Sequence, residues 1–369
     1  MRLRLILFPV FVLCGALLLT PAARAQAVYA PVTSQIAAVD SARALAQAHL
    51  DTHGLPGLAI AVAVGDDVVW SEGFGYADLE HRVPVWPTTK FRIASISKPL
   101  AAAAVARLVE EGKLDVDAPV QTYVPYFPEK AHVVTTRQIG GHLGGIRHYR
   151  GQEVLLNERF VSVQEGIGIF KDDALIHPPG SAYAYSSYGW NLISATVEGA
   201  SGQDFLSYMR AEVFAPLGMH HTVADHVDSL IVQRARQYVR SSEGHWMNAP
   251  AVNNSYKWAG GGFLSTTEDL LRFAQAHHEP GFFAQETLDL LFTEQQTTAG
   301  EGVDYGFGWQ LRILDDGRSL IAHNGGAVGG TTRLVFNPET RVTVALLINQ
   351  QGADLSLANA VLDLFEAAQ

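Results

Sequence analysis

The sequence contains a single cysteine, Cys14, which is too few for an intramolecular disulfide. Basic charge is also scarce: 26 lysine and arginine residues face 37 aspartate and glutamate residues, for a net charge of −11. Nucleic-acid binders neutralise phosphates with a basic surface, so this balance argues against that class of partner. The chain has no internal repeat or low-complexity tract, and its 369 residues have the composition of a globular protein.

The only long apolar run in the sequence occupies residues 5–19, directly after the basic start at Arg2 and Arg4. It is followed by Ala23-Arg24-Ala25, a small-x-small cleavage site, so we expect a signal peptide over residues 1–25 with cleavage after Ala25. An uncleaved signal anchor is the alternative, although the run is short for a span of about 20 residues. We therefore expect a periplasmic or secreted protein without a stable membrane anchor.

Hydrophobic patterns at both ends of the chain predict one shared sheet. The first end predicts a helix at 41–53, hairpin strands at 58–64 and 68–70, a loop at 73–87 and a helix at 93–112. The second end predicts strands at 320–323, 331–336 and 343–348 and a helix at 354–366. Because the chain is longer than the roughly 250–300 residues of a single core, two parts are expected.

These elements predict a mixed α/β fold, of the α+β type, in which helices flank an antiparallel sheet of five strands. Residues 26–118 and 255–369 would form the sheet domain. Prolines punctuate short amphipathic stretches between them, so residues 119–254 are expected to form an inserted, mainly helical subdomain.

The sharpest chemical feature is Ser95-Ile96-Ser97-Lys98, at the start of the second predicted helix. Residues three apart share a helix face, so the hydroxyl of Ser95 and the amine of Lys98 are expected side by side. Pro99 lacks an N–H and belongs in a first helical turn, which places Ser95 among the free N–H groups of the helix start. There a hydroxyl can attack a carbonyl while its own N–H stabilises the oxyanion, and a lysine with a lowered pKa can assist.

Two later elements add to this motif, which alone is short enough to occur by chance. Tyr185-Ser186-Ser187 follows a stretch rich in proline and glycine, and His323-Asn324-Gly325-Gly326 ends a predicted strand. The glycines let that strand approach a ligand closely, so the N–H of Gly326 is a candidate second oxyanion donor. Singly, such a tyrosine or histidine is more often a packing or surface residue.

In this order and spacing, the three elements resemble the serine β-lactamase and penicillin-binding-protein superfamily, in particular its class C-like group of peptidases and esterases. Further similar stretches lie at residues 91–94, 141–149, 260–266 and 305–309, and residues 146–149 look most like the LACTB-like branch. The resemblance extends from about residue 40 to the C-terminus and implies the β-lactamase/transpeptidase-like fold.

The resemblance also implies a role for each residue. Ser95 would be the nucleophile that forms an acyl-enzyme, and Lys98 would share or accept its proton. Tyr185, kept near phenolate by neighbouring cations, would help to deprotonate Ser95 and later activate water. His323 would bind a carboxylate or assist proton flow, and the N–H groups of Ser95 and Gly326 would form the oxyanion hole. Whether Lys98 or Tyr185 is the principal base stays open, because the pair titrates as a coupled unit.

The sequence departs from the family pattern at two positions. Ser187 occupies the position where penicillin-hydrolysing members usually have asparagine, which weakens the grip on a substrate acylamide. His323 replaces the usual lysine of the strand motif and is mostly neutral at pH 7. Both departures favour a peptidase or esterase over an efficient β-lactamase, with His323, Gly325, Gly326 and Ser187 as the candidate oxyanion and substrate-binding residues.

The predicted function is an exported serine hydrolase that acts on amide or ester bonds of a small molecule, peptide or ester. One alternative is a true class C-like β-lactamase or a D-alanyl-D-alanine carboxypeptidase, and another is a non-catalytic binding or scaffold protein on the same fold. No cofactor and no metal is expected, because the adjacent histidines at 220–221 and 277–278 cannot face one ion and no His-Glu-x-x-His motif occurs. The oligomeric state stays open.

Overall fold

The computed structural model describes residues 35–369, so the predicted signal peptide and its cleavage site lie outside the described residues. The α-helices of this part are α1 (Ile36–His53), α2 (Ser97–Glu110), α3 (Thr136–Gly140), α4 (Val163–Ile167), α5 (Ser187–Ser201), α6 (Phe205–Tyr208), α7 (Trp258–Gly261), α8 (Thr267–Gln275), α9 (Gln285–Phe292) and α10 (Ser356–Glu366). None of the helices in residues 35–369 has the length and apolarity that crossing a bilayer requires.

The strands are β1 (Gly57–Val64), β2 (Asp67–Asp78), β3 (Val83–Pro84), β4 (Phe91–Arg92), β5 (Val223–Ala224), β6 (Tyr238–Arg240), β7 (Trp246–Asn248), β8 (Phe263–Ser265), β9 (Gln310–Ile313), β10 (Ser319–Ala327), β11 (Gly330–Phe336) and β12 (Val342–Ile348). In the described part of the chain, the large sheet has seven strands in the order β3-β2-β1-β12-β11-β10-β9. Its strands are antiparallel.

The α+β fold and the sheet built from both chain ends are confirmed. The two ends meet where β1 pairs with β12, from Leu58 opposite Ile348 to Val64 opposite Val342. The five predicted strands form the centre of the sheet, whereas the short edge strands β3 and β9 were not predicted. Segments of two and four residues are too short to show a period-2 pattern.

The alternation of side chains along β1 explains how the sheet is covered on both faces. Leu58, Ile60 and Val62 join a core cluster with α1 and α10 on one face. The alanines between them, Ala59, Ala61 and Ala63, join a second cluster with α2 and α8 on the other face. The sheet is therefore the middle of three layers. Burial of each large aliphatic side chain on its faces stabilises the fold by about 1.5–3 kcal/mol.

Helix α2 lies in the interior, between the sheet and the remaining helices. Every residue from Ser97 to Ala106 is buried, including the predicted alanine run at 101–104. A helix that is apolar on nearly all sides is stable only inside a large core. Pro99 lies in the first turn of this helix, as predicted. Lys98 belongs to the same buried turn, so its side chain lies in the protein interior.

Several element boundaries differ from prediction: α1 begins at Ile36 instead of residue 41, and β10 continues to Ala327 instead of ending at residue 323. The loop predicted from residue 73 is wrong at its start, because β2 continues to Asp78. Gly73 is required by close packing, since a Cβ there would lie 2.3 Å from the carbonyl oxygen of Val85. The second helix begins with a 3₁₀ turn at Ala94–Ile96 and becomes α-helical only at Ser97.

The segment proposed as a helical subdomain contains helices in its first part, with α3 to α6 lying between residues 136 and 208. Its last part contains β5, which pairs with β8, and the β6–β7 hairpin. The backbone N–H of Tyr238 in β6 donates to the carbonyl of Asn349, just beyond β12. The boundaries at residues 118 and 254 stay a prediction.

Candidate active site

Ser95 lies in the 3₁₀ turn between β4 and α2. Ala94 before it has a φ of +50°, a strained value for a residue with a side chain. Strand β11 holds this turn through Thr332, whose hydroxyl donates to the carbonyl of Ile93 over 3.0 Å. A Cβ on Gly325 would lie 2.2 Å from the Thr332 hydroxyl and 2.3 Å from the Ile93 carbonyl oxygen. Glycine at 325 therefore lets β10 lie directly against the serine turn.

The amine of Lys98 is fully buried and has three polar neighbours. Its Nζ lies 2.9 Å from Oγ of Ser95, 3.1 Å from Oγ of Ser187 and 2.7 Å from the carbonyl oxygen of Gly260. Burial, and then the charge of Lys257, hold the pKa of this amine well below its usual range. A neutral amine has two N–H donors and one lone pair. In that form, donation by Nζ to Gly260 and Ser187 would leave the lone pair for the hydroxyl of Ser95.

The Tyr185-Ser186-Ser187 stretch is positioned by a helix cap. Ser186 is the N-cap of α5: its hydroxyl accepts from the N–H of Gly189 over 2.9 Å and donates to the carbonyl of Arg147 over 2.7 Å. This cap fixes the residues on either side of it. The phenol of Tyr185 hydrogen-bonds with the hydroxyls of both Ser95 and Ser187.

The expectation that Tyr185 is kept near phenolate is not met. Burial raises the pKa of Tyr185 above its usual value, although its hydrogen bonds with Ser95 and Ser187 oppose the shift. The nearest cation would be Lys98, whose Nζ lies 4.8 Å from the Tyr185 ring centroid, but burial disfavours its charged form as well. Burial thus favours a neutral amine beside a protonated phenol.

His323 is buried in β10 and both of its ring nitrogens are engaged. Its Nδ1 donates to the carbonyl of Asn324 over 2.7 Å, and its Nε2 accepts from the hydroxyl of Tyr305 over 2.9 Å. Burial, and then the charge of Lys98, lower the pKa of His323 to about 3. Burial therefore favours the neutral imidazole, as expected, and its role in carboxylate binding or proton flow stays a prediction.

Three site residues are not among the predicted catalytic or substrate-binding residues: Tyr305, which holds His323, and the two histidines His142 and His148. Nδ1 of His142 accepts from the N–H of Ser186 over 3.1 Å, and Nδ1 of His148 accepts from the N–H of Ser187 over 3.0 Å. Burial lowers the pKa of His148 to about 4. These neutral rings satisfy the free N–H groups at the start of α5. Their only sequence signal was the stretch at 141–149.

A cavity of about 470 Å³ joins these elements. Its walls include Ser95, Tyr185, Ser187, His323, Gly325 and Gly326, so the structure brings together residues from three separate segments. Lys98 reaches this cavity through its contact with Ser95. At Gly326 the position of a Cβ is open space, which leaves room for a ligand beside its backbone. The roles of Ser95 and Gly326 as oxyanion donors stay predictions.

Within residues 35–369, one group of potential metal ligands lies apart from the cavity. His49, His53 and Asp354 have ligand atoms within 4.8 Å of one another. None of these residues lines the cavity, so the chemistry of the cavity is built from hydroxyl, amine, phenol and imidazole groups. Such a set is suited to acyl transfer by a serine nucleophile.

Comparison with known proteins shows the family of this chain. The family model described as Beta-lactamase matches residues 42–367. The chain belongs to this β-lactamase family. It is 36% identical to the human "Serine beta-lactamase-like protein LACTB, mitochondrial", over 82% of this chain and 72% of that protein. It is 28% identical to Penicillin-binding protein 4* of Bacillus subtilis, over 82% of this chain and 69% of that protein.

Among solved structures, the octameric penicillin-binding protein homologue from Pyrococcus abyssi superimposes with a TM-score of 0.77. It shares 25% sequence identity, and the match covers 89% of this chain and 77% of that chain. The predicted family and its fold are thus confirmed, and this β-lactamase-family chain belongs with serine hydrolases.

Proposed function

We propose that this β-lactamase-family protein hydrolyses amide or ester bonds through an acyl-enzyme on Ser95. The observation that carries the proposal is the amine of Lys98, which is 2.9 Å from Oγ of Ser95 and is favoured in its neutral form. Its two N–H donors face Gly260 and Ser187, so its remaining lone pair is directed to the serine hydroxyl. A serine beside such a base is an activated nucleophile.

In the acylation step, Oγ of Ser95 attacks the substrate carbonyl carbon while its proton passes to Nζ of Lys98. The N–H groups of Ser95 and Gly326 stabilise the oxyanion. As the bond to the leaving group breaks, the phenol of Tyr185 supplies the proton that the leaving group needs. The ammonium of Lys98 returns a proton to Tyr185 through the hydroxyl of Ser187, which contacts both. Deacylation repeats this sequence with water as the nucleophile.

A fluorophosphonate probe followed by peptide mass spectrometry tests this proposal. We expect one adduct per chain, on the peptide that contains Ser95, and no adduct after Ser95→Ala. Ser97→Ala is the matched control, because Ser97 is a buried serine of the same motif whose hydroxyl accepts from the N–H of Phe263. An unmodified Ser95 in folded protein would contradict the proposal and favour the binding or scaffold alternative.

Three probes of the same enzyme distinguish its possible substrate classes. Rapid turnover of a chromogenic cephalosporin would favour a β-lactamase, and a long-lived penicillin adduct on Ser95 would favour a D,D-peptidase. We expect instead hydrolysis of chromogenic esters or peptides with little penicillin labelling. The reason is that the neutral His323 supplies no cation for a β-lactam carboxylate, and the hydroxyl of Ser187 is occupied by Lys98 and Tyr185.

We also propose that residues 1–25 direct export. The support is the basic start, the apolar run and the cleavage site at Ala25 in the sequence. The human relative carries the word mitochondrial in its name, which is a statement about that protein. Intact-mass analysis after expression in a Gram-negative host should find a periplasmic chain that begins at Gln26, and a full-length cytoplasmic chain would contradict export.

A further inference from the structure

Lys257 is a buried lysine whose ammonium faces two aromatic rings. It directly precedes α7, is 5% exposed and lines the cavity that contains Ser95. Its Nζ lies 5.6 Å from the ring centroid of Tyr149 and 5.2 Å from that of Tyr256. Within residues 35–369 this ammonium makes no ion pair and no hydrogen bond. Burying an unpaired charge is costly, so the position calls for a ligand that compensates it.

The carboxylate of Asp225, which acts electrostatically on Lys257, is already committed to other partners. Asp225 is already held by Arg92 at 2.7 Å, by Arg234 at 3.3 Å and by the amide of Asn254 at 2.7 Å. One carboxylate thus serves two guanidinium groups before Lys257 is counted. Residues 1–34 contain no aspartate or glutamate, so that segment has no acidic side chain to offer.

The remaining lining of the cavity carries no compensating charge. None of the cavity-lining residues is an aspartate or glutamate, although the chain as a whole has a net charge of −11. Burial keeps His148 and His323 neutral, with pKa values of about 4 and about 3. A cavity with a single cationic wall residue in an acidic protein attracts anions and repels cations.

We propose that Lys257 binds a carboxylate of the substrate, so that the enzyme prefers esters or amides that carry an anionic group near the scissile carbonyl. This inference rests on the proposed function of Ser95. It assigns anion binding to Lys257, directly before α7, instead of to His323 in β10, which is neutral. The ring of Tyr149, which lines the same cavity beside the ammonium, would pack against the apolar part of such a substrate.

Matched substrate pairs test the proposal. One pair is the p-nitrophenyl ester of glutaric acid and that of its neutral monoamide, with the charge on the acyl side. The other pair is 4-carboxyphenyl and 4-carbamoylphenyl acetate, with the charge on the leaving group. A charge-assisted contact corresponds to about a tenfold to hundredfold preference in kcat/KM for the anionic member of one pair. Lys257→Met should bring this ratio close to one, and Lys257→Arg should preserve it.

The ratio is the informative readout because Lys257 also lowers the pKa of Lys98, so absolute rates change with its charge. Lys90→Met is the matched control: Lys90 is a buried lysine outside the cavity whose amine donates to the carbonyl of Val232. It should leave the ratio unchanged. An unchanged ratio in Lys257→Met, with hydrolysis retained, would overturn the inference while the proposed function of Ser95 survives.

A second measurement does not depend on catalysis. Calorimetric titration of Ser95→Ala with glutarate should show binding that Lys257→Met removes and Lys257→Arg keeps. Glutarate that binds equally well without the Lys257 amine, or that does not bind at all, would refute the site. If the wild-type enzyme hydrolyses none of the esters, the proposed function fails, and glutarate binding still decides on the anion site.

The preference should also depend on pH. Burial, and then the charge of Arg92, lower the pKa of Lys257 to about 8, so the ammonium is lost as the pH rises through that value. The anionic-to-neutral ratio should therefore fall between pH 7 and pH 9, and a constant ratio would contradict the assignment. The titratable or charged groups that face Lys257 are Arg92, Asp225, Lys98, His148, Tyr149 and Tyr256.

Discussion

Replacement of Gly325 by alanine should damage both the fold and the active site. The new Cβ would lie 2.2 Å from the hydroxyl of Thr332 and 2.3 Å from the carbonyl of Ile93, more than 1 Å inside ordinary contact. Overpacking of this kind costs about 1–3 kcal/mol. Loss of the buried hydrogen bond between those two residues adds about 1 kcal/mol. We expect the free energy of unfolding to fall by about 2–4 kcal/mol.

The kinetic effect follows from the same displacement. Strand β10 would move away from the turn that carries Ser95, and a misplacement of about 1 Å can cost about 10²-fold in rate. Urea denaturation and the rate of fluorophosphonate labelling measure the two effects. Gly326→Ala is the matched control for stability, because nothing lies within 4 Å of its Cβ position. A Gly325→Ala variant with wild-type stability and labelling rate would refute the reasoning.

Three further changes have defined outcomes. Lys98→Met should slow labelling of Ser95 by about 10²–10⁴-fold, measured by quenched mass spectrometry, because the general base is removed. Tyr305→Phe leaves Nε2 of the buried His323 without its donor and should cost about 1–3 kcal/mol in urea denaturation. His277 is buried and neutral, since burial lowers its pKa to about 3 from 6.5. The stability that neutral His277 contributes is complete above pH 6.5 and is lost as the pH falls, so the free energy of unfolding is about 2 kcal/mol lower at pH 5. His277→Gln should reduce this loss of stability.

Much of the fold followed from hydrophobic periodicity. Strands β1, β10, β11 and β12 and helices α1 and α10 were predicted because each has a side-chain pattern long enough to read. Gly73 was misread because glycine usually marks a turn, whereas here it permits the close approach of Val85. Whether a glycine bends the chain or admits a neighbour depends on tertiary packing, which no local pattern records.

The candidate site was predictable to a similar extent. Ser95 and Lys98 are three residues apart, so helix geometry alone brings them together. Tyr305 meets His323 across 18 residues, and His142 meets Ser186 across 44. Those contacts arise from the folded topology. Protonation states were the least accessible property, because burial decides them and overturned the expected phenolate at Tyr185.

Pre-steady-state hydrolysis of a chromogenic ester, with quenched samples analysed by peptide mass spectrometry, tests the covalent route most directly. We expect a burst of phenol close to one equivalent per chain and an acyl adduct on Ser95 that appears during the burst and decays at the turnover rate. Steady release of product without a burst or adduct, together with full activity in Ser95→Ala, would contradict the route.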